Sequence, residues 1–124
     1  MYQFGFEKLE VWQEARQLTT NIYKLTEKFP ESERFGLTSQ LRRAAVSVGA
    51  NIAEGTSRFS AKEQAHFSSV SYGSLIEILS HLITAFDLGF ITEENLLIMR
   101  NEIQPLSVKI NNLRNNQIAR ITKA

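Results

Sequence analysis

Two histidines, each within helical reach of a glutamate, are the residues best suited to catalysis or metal binding in this 124-residue chain. Glu63 and His66 form a Glu-x-x-His pair, which inside a four-helix bundle is the ligand pattern of di-iron carboxylate sites. Such a site needs a second Glu-x-x-His and two further inward glutamates. The other histidine, His81, follows its nearest acid, Glu77, by four residues, and Glu63 already has a sufficient role in a helix cap. No metal ligand set is expected. Ser74, Glu77 and His81 share one helix edge, and an imidazole beside a carboxylate can serve as a general base. However, no serine lies in a recognisable nucleophile turn and cysteine is absent. There is no Gly-rich phosphate loop. No catalytic residue, cofactor or small-molecule substrate is therefore expected, and the triplet is read as structural.

The basic residues carry a different chemistry. Arg42 and Arg43 are adjacent on one helix, about 100° apart in projection, and Arg58 and Lys62 flank the next turn. Lys109, Arg114, Arg120 and Lys123 follow near the end of the chain. One reading makes these eight residues a surface for nucleic-acid phosphates, which require no sequence-specific geometry. The other makes them salt-bridge partners within or between subunits. Phe59, among the bases, is a lone aromatic and weak evidence for base stacking. Glu77, at the edge of an apolar arc, needs a donor, and an arginine matches a carboxylate with two prongs. Arg42 or Arg43, from this subunit or a neighbour, is expected to pair with it, giving a polar cluster of Arg42, Arg43, Glu77 and His81. Glu77→Ala is expected to destabilise the bundle or its assembly by roughly 3 kcal/mol, the cost of stranding a buried charge.

Helices must position these residues. Leu9, Trp12, Ala15, Leu18, Ile22 and Leu25 recur three or four apart, which draws one apolar stripe over a helix near 7–28. Pro30 ends it, with Phe29 tucked beneath the turn. A second helix near 37–55 carries Leu37, Leu41, Ala44, Ala45, Val48 and Ile52, and Gly55 suits a left-handed cap. Its opposite face, with Ser39, Arg43, Val46, Ser47, Ala50 and Ala53, is nearly all small, so a second protein surface is implied. A third helix near 60–88 opens on Ser60 and Glu63, a capping box, and stops at Gly89. Phe67, Val70, Ser74, Ile78 and Ala85, widened by Leu75, Leu79, Leu82 and Phe86, again suit more than one neighbour. A fourth helix near 92–115 repeats Leu96, Met99, Ile103, Leu106, Ile110 and Leu113 as a heptad seam, with a kink expected at Pro105. Residues 1–6 and 116–124 are expected to be loose tails. Short connections between amphipathic helices predict an all-α, antiparallel up-down-up-down four-helix bundle.

Composition agrees. Hydrophobic residues make up 43% and charged residues 22%, ordinary values for one globular domain of this length. Net charge is only +1, so no global argument for nucleic acid exists. The distribution is uneven: residues 34–62 hold five bases and one acid, 63–102 one base and six acids, and 103–124 four bases and no acid. Alternating blocks suit complementarity between helices or subunits. No signal-peptide pattern and no apolar run of ~18 residues is seen, so a cytoplasmic location without membrane contact is expected.

Phe6-Glu7-Lys8-Leu9-Glu10-Val11-Trp12, Phe29-Pro30, the block from Gln40 to Arg58 (QLRRAAVSVGANIAEGTSR), Gly73-Ser74 with Glu77, and Leu88-Gly89 form one pattern. It resembles the bacterial four-helix-bundle family of proteins encoded in intervening sequences of 23S ribosomal RNA genes, over about residues 4 to 115. The resemblance implies a ring-like homopentamer. It also brings in the accessory proteins of diversity-generating retroelements, similar pentameric bundles that are basic and bind nucleic acid and a reverse transcriptase. This chain departs from that group in its near-neutral charge. No catalytic residue is carried over.

Overall fold

The computed structural model describes residues 1–123 and is all-helical, with no strand among them. Each apolar stripe becomes a buried helix face. The first helix, α1, spans Glu10–Thr26, with Ala15, Leu18 and Ile22 fully buried. The second, α2, spans Leu37–Thr56; the third, α3, Ala61–Asp87; and the fourth, α4, Glu93–Lys123. Cross-helix pairs run in opposite chain directions at every seam. Thr19 meets Ala45 and Thr26 meets Arg42; Arg43 meets Glu77 and Ser71 meets Val48; Ser68 meets Gln117 and Gln64 meets Arg120. Asn21 meets Glu102, and Glu10 and Glu14 meet Lys109, which closes α4 back onto α1. The bundle is therefore antiparallel and up-down-up-down, as the periodicity predicts.

Element ends differ from expectation in instructive ways. Helix 1 does not start at Glu7: Gly5–Lys8 form a 3-10 turn, and extended Leu9 separates it from α1. The turn folds back so that the Phe6 ring meets Trp12 edge-on at 5.0 Å. The Phe4 N–H donates to the Glu7 carboxylate at 2.7 Å, so this end of the chain is tied down rather than loose. At the other end, α4 runs eight residues past the expected Asn115. Its seam takes one more step of four, from Leu113 to Gln117, which is buried and accepts a 2.6 Å bond from the Ser68 hydroxyl. The helix continues through Pro105.

Helix α3 ends as expected at Gly89, whose φ of 79° is the left-handed conformation that costs glycine little. The Gly89 and Phe90 N–H groups donate to Phe86 and Ala85 carbonyls at 3.0 and 2.9 Å, the two bonds of a Schellman motif. Phe90 then lies 5.7 Å from the buried Phe29 ring. At the start of α3, the Ser60 hydroxyl accepts the Glu63 N–H at 3.1 Å. The reciprocal half of the box is replaced: the Glu63 carboxylate takes the Ser60 hydroxyl at 3.3 Å. Leu37 at the head of α2 has its N–H capped by the Glu33 carboxylate at 3.1 Å.

Gly55 is not a left-handed cap. It lies inside α2, which ends one residue later, and it is buried. A Cβ there would stand 3.1 Å from the Phe67 Cβ, whereas one at Gly49 would meet Trp12 and Ala15 at an ordinary 3.6–3.8 Å. Gly55 is needed for a close α2–α3 approach, and Gly49 is not. Replacing a mid-helix glycine by alanine is worth up to about 1 kcal/mol from propensity alone. Gly49→Ala is expected to stabilise by about 0.5–1 kcal/mol in urea unfolding. Gly55→Ala should lose that gain to the clash and unfold at equal or lower urea than the parent.

Candidate nucleic-acid interface

The eight expected basic residues do not form one surface. Arg42 closes the end of α1: its Nε donates to the Thr26 hydroxyl at 2.9 Å, and its guanidinium lies 4.6 Å from the Tyr23 ring centroid. Arg43 donates to Gln40 at 3.0 Å and forms an ion pair with Glu77. His81 Nε2 lies 3.0 Å from the same carboxylate. The expected arginine–Glu77 pair is thus present, supplied by Arg43. Arg42 does not join this cluster.

Lys109 is also engaged. It donates to Glu10 and Glu14 across the α1–α4 seam. The hydrogen bond and charge of Lys109 hold the Glu10 carboxyl below its ordinary value of 4.5, and the two carboxylates raise Lys109 above 10.5. Asn21 reinforces the seam by donating to both oxygens of Glu102 at 2.9–3.0 Å.

The remaining bases gather at one end, where the α2–α3 turn meets the last turns of α4. Gln64 organises them. Its amide nitrogen donates to the Arg58 carbonyl at 2.9 Å, and its amide oxygen accepts from Arg120 at 2.6 Å. Arg58 lies with its guanidinium 4.7 Å from the Phe67 ring centroid and pairs with Glu54 at 2.8 Å. One helical step along, Arg114 lies over Tyr72 at 5.7 Å and donates to Asn111 at 2.7 Å. The Nε atoms of Arg58 and Arg114 are buried without an acceptor among the described residues. Lys62 is exposed beside an open cleft of about 630 Å³ lined by Arg58, Ser60, Lys62, Glu63, His66 and Phe67. The side chain of Lys123 lies outside the described residues.

Sequence reasoning missed Gln64, Ser68 and Gln117. The last two were signalled: Gln117 is the next heptad step after Leu113, and Ser68 falls on the three-four spacing of Ser71, Leu75, Ile78 and Leu82. Gln64 had no such signal. Glu63 is committed to the α3 cap, and exposed His66 lies edge-on to Phe67 with centroids 5.4 Å apart. No group of three or more histidine, aspartate or glutamate side chains among the described residues is spaced to hold a metal. Among the described residues no helix is long and apolar enough to cross a membrane.

The fold defines a small antiparallel four-helix-bundle protein. The profile of the family described as 23S rRNA-intervening sequence protein matches residues 7–112, and the chain belongs to that family. A solved structure from Bacteroides thetaiotaomicron, described as a protein with unknown function from the S23 ribosomal protein family, is similar in fold. It is 20% identical, with a TM-score of 0.75 over 84% of this chain and 97% of that one. No curated protein matches the sequence.

The geometry changes the energetic expectation for Glu77. Its side chain is 33% exposed and that of Arg43 57%, so the pair is a partly solvated one and not a stranded buried charge. Glu77→Ala is expected to cost about 0.5–1 kcal/mol, well below the roughly 3 kcal/mol of a buried pair. Chemical denaturation of Glu77→Ala, Arg43→Ala and the double variant measures this, and a coupling above about 2 kcal/mol would contradict it.

Proposed function

We propose that this protein acts by binding and not by catalysis: it assembles with copies of itself and contacts RNA or another nucleic acid through the α2–α3 turn end. The observation that carries the nucleic-acid part is the pairing of the bases. Arg43, Lys109 and Arg58 are paired with carboxylates. Arg114 and Arg120 bond instead to the neutral amides of Asn111 and Gln64, which leaves their charge uncompensated. Lys62 has no ion pair among those formed by the described residues. An uncompensated cation attracts phosphate without demanding a sequence, since phosphate contacts position and do not specify.

The expected behaviour is salt-sensitive binding to structured RNA. Replacing both Lys62 and Arg120 by alanine should weaken it and flatten the plot of log affinity against log salt by about 1.5–2, the release of roughly one counterion per lost contact. Fluorescence anisotropy between roughly 50 and 200 mM salt measures the slope. An unchanged slope would show that the phosphates lie elsewhere.

A second observation supports assembly. Gly73 lies in the middle of α3, exposed, with nothing within 4 Å of a Cβ added there. Nothing among the described residues explains a residue that costs a helix interior about 1 kcal/mol. Val46, Ile76 and Ile83 are also exposed on α2 and α3. A neighbouring copy approaching closely over Gly73 accounts for both, and the family resemblance suggests five copies. Light scattering at micromolar concentration should give a homo-oligomer, and Gly73→Ala should reduce its mass. A monomeric parent, stabilised by Gly73→Ala, would overturn the assembly.

A further inference from the structure

Phe59 is the least covered aromatic side chain in the chain, 103% exposed, and it belongs to the same basic end. Single exposed apolar residues are ordinary, so its surroundings must decide what it does. It lies in the short non-helical stretch between α2 and α3, where neither helix can cover it. Its neighbour Arg58 is turned away, held over Phe67 and against Glu54. Lys62 follows three residues later, no more than about 11 Å away along the chain, on the rim of the cleft that Arg58, His66 and Phe67 line.

Phe35 is the informative contrast. It is 87% exposed at the opposite end, but the Arg34 guanidinium already occupies one face of its ring, 5.3 Å from the centroid. Glu31, Glu33, Glu93 and Glu94 crowd that end of the bundle, where α2 and α4 begin. Arg34 is itself paired with Glu31 there. At Phe59 the uncovered ring and the uncompensated cations occur together.

We propose that this end takes an unpaired stretch of nucleic acid, with one base stacked on Phe59 and the flanking phosphates at Lys62 and Arg120. The inference rests on the phosphate-binding reading above and narrows its ligand. A duplex hides its base faces in its own stack and offers only edges and phosphates. An unpaired base presents a π-face, and stacking on an aromatic side chain is tolerant of sequence. A ring held out on a turn between cations therefore suits a single strand better than a helix.

The test uses labelled oligouridylate of about a dozen nucleotides, and a hairpin of paired RNA, in fluorescence anisotropy at low salt. Phe59→Ala should weaken oligouridylate binding about tenfold or more, without changing its salt slope and without changing hairpin binding. Phe59→Trp should restore affinity, and its added indole emission should be quenched on binding. Equal affinity of Phe59→Ala and parent for oligouridylate, or equal losses on both probes, would overturn the stacking site while leaving the phosphate surface standing. Failure of the parent to bind either probe would overturn the phosphate-binding reading itself, and this inference with it. Light scattering of Phe59→Ala should give the parent mass. A smaller particle would overturn the proposal, because the ring would then be an assembly contact.

Discussion

The rest of the bundle depends on how closely α1 and α3 approach the backbone of α2. Two hydroxyls reach α2 carbonyls from opposite sides. Thr19 of α1 donates to Ala45 at 3.0 Å, and Ser71 of α3 donates to Val48 at 2.8 Å. Those carbonyls already serve the helix, so the hydroxyls use their second lone pair. Such contacts need small side chains, and α2 supplies Ala44, Ala45, Gly49 and Gly55 on its buried surface. Large residues then fill the layers beyond, with Leu18, Ile22, Leu41, Leu75, Ile78 and Leu82 among the fully buried side chains. A close-packed interior punishes any change of this spacing. Ser47 and Ser74 continue the pattern by sharing a 2.8 Å bond across the same seam. Arg43 and Glu77 close it at the edge.

The same spacing controls which arginines are available. Because α2 and α3 meet closely, Arg43 reaches Glu77 and is spent inside the fold. Arg42, one position earlier, faces α1 and caps it. The two adjacent arginines thus serve two different seams, and neither contributes to the basic end. The bases with neutral amide partners, Arg114 and Arg120, come instead from α4.

Much of the architecture was legible because apolar spacing is a strong constraint. Leu41, Ala44, Val48 and Ile52 could lie on one buried face only if the segment is helical, and the same holds for Met99 to Ile110. Element ends were less legible. Gly55 looked like a helix terminator because glycine is permissive; the structure uses it for want of a Cβ, a difference that depends on Phe67, twelve residues away. The α4 tail looked loose because it is polar, yet polarity does not exclude burial when a partner exists. The candidate site was legible only as composition. Which bases are neutralised depends on side chains as distant as Glu10 is from Lys109, and no local pattern announces that pairing.

The Ser68–Gln117 contact has a consequence for how α4 finds its place. The α4 seam is otherwise a run of similar aliphatic residues, and such a run fits its neighbour nearly as well one turn up or down. A slip would carry Gln117 away from the Ser68 hydroxyl and leave both groups dry, at roughly 1–3 kcal/mol for each unsatisfied group. One buried polar pair therefore acts as a registry pin for the longest helix. The segment beyond Asn115 is then a keyed end, and cutting the chain before residue 117 would remove the key and not merely shorten the helix.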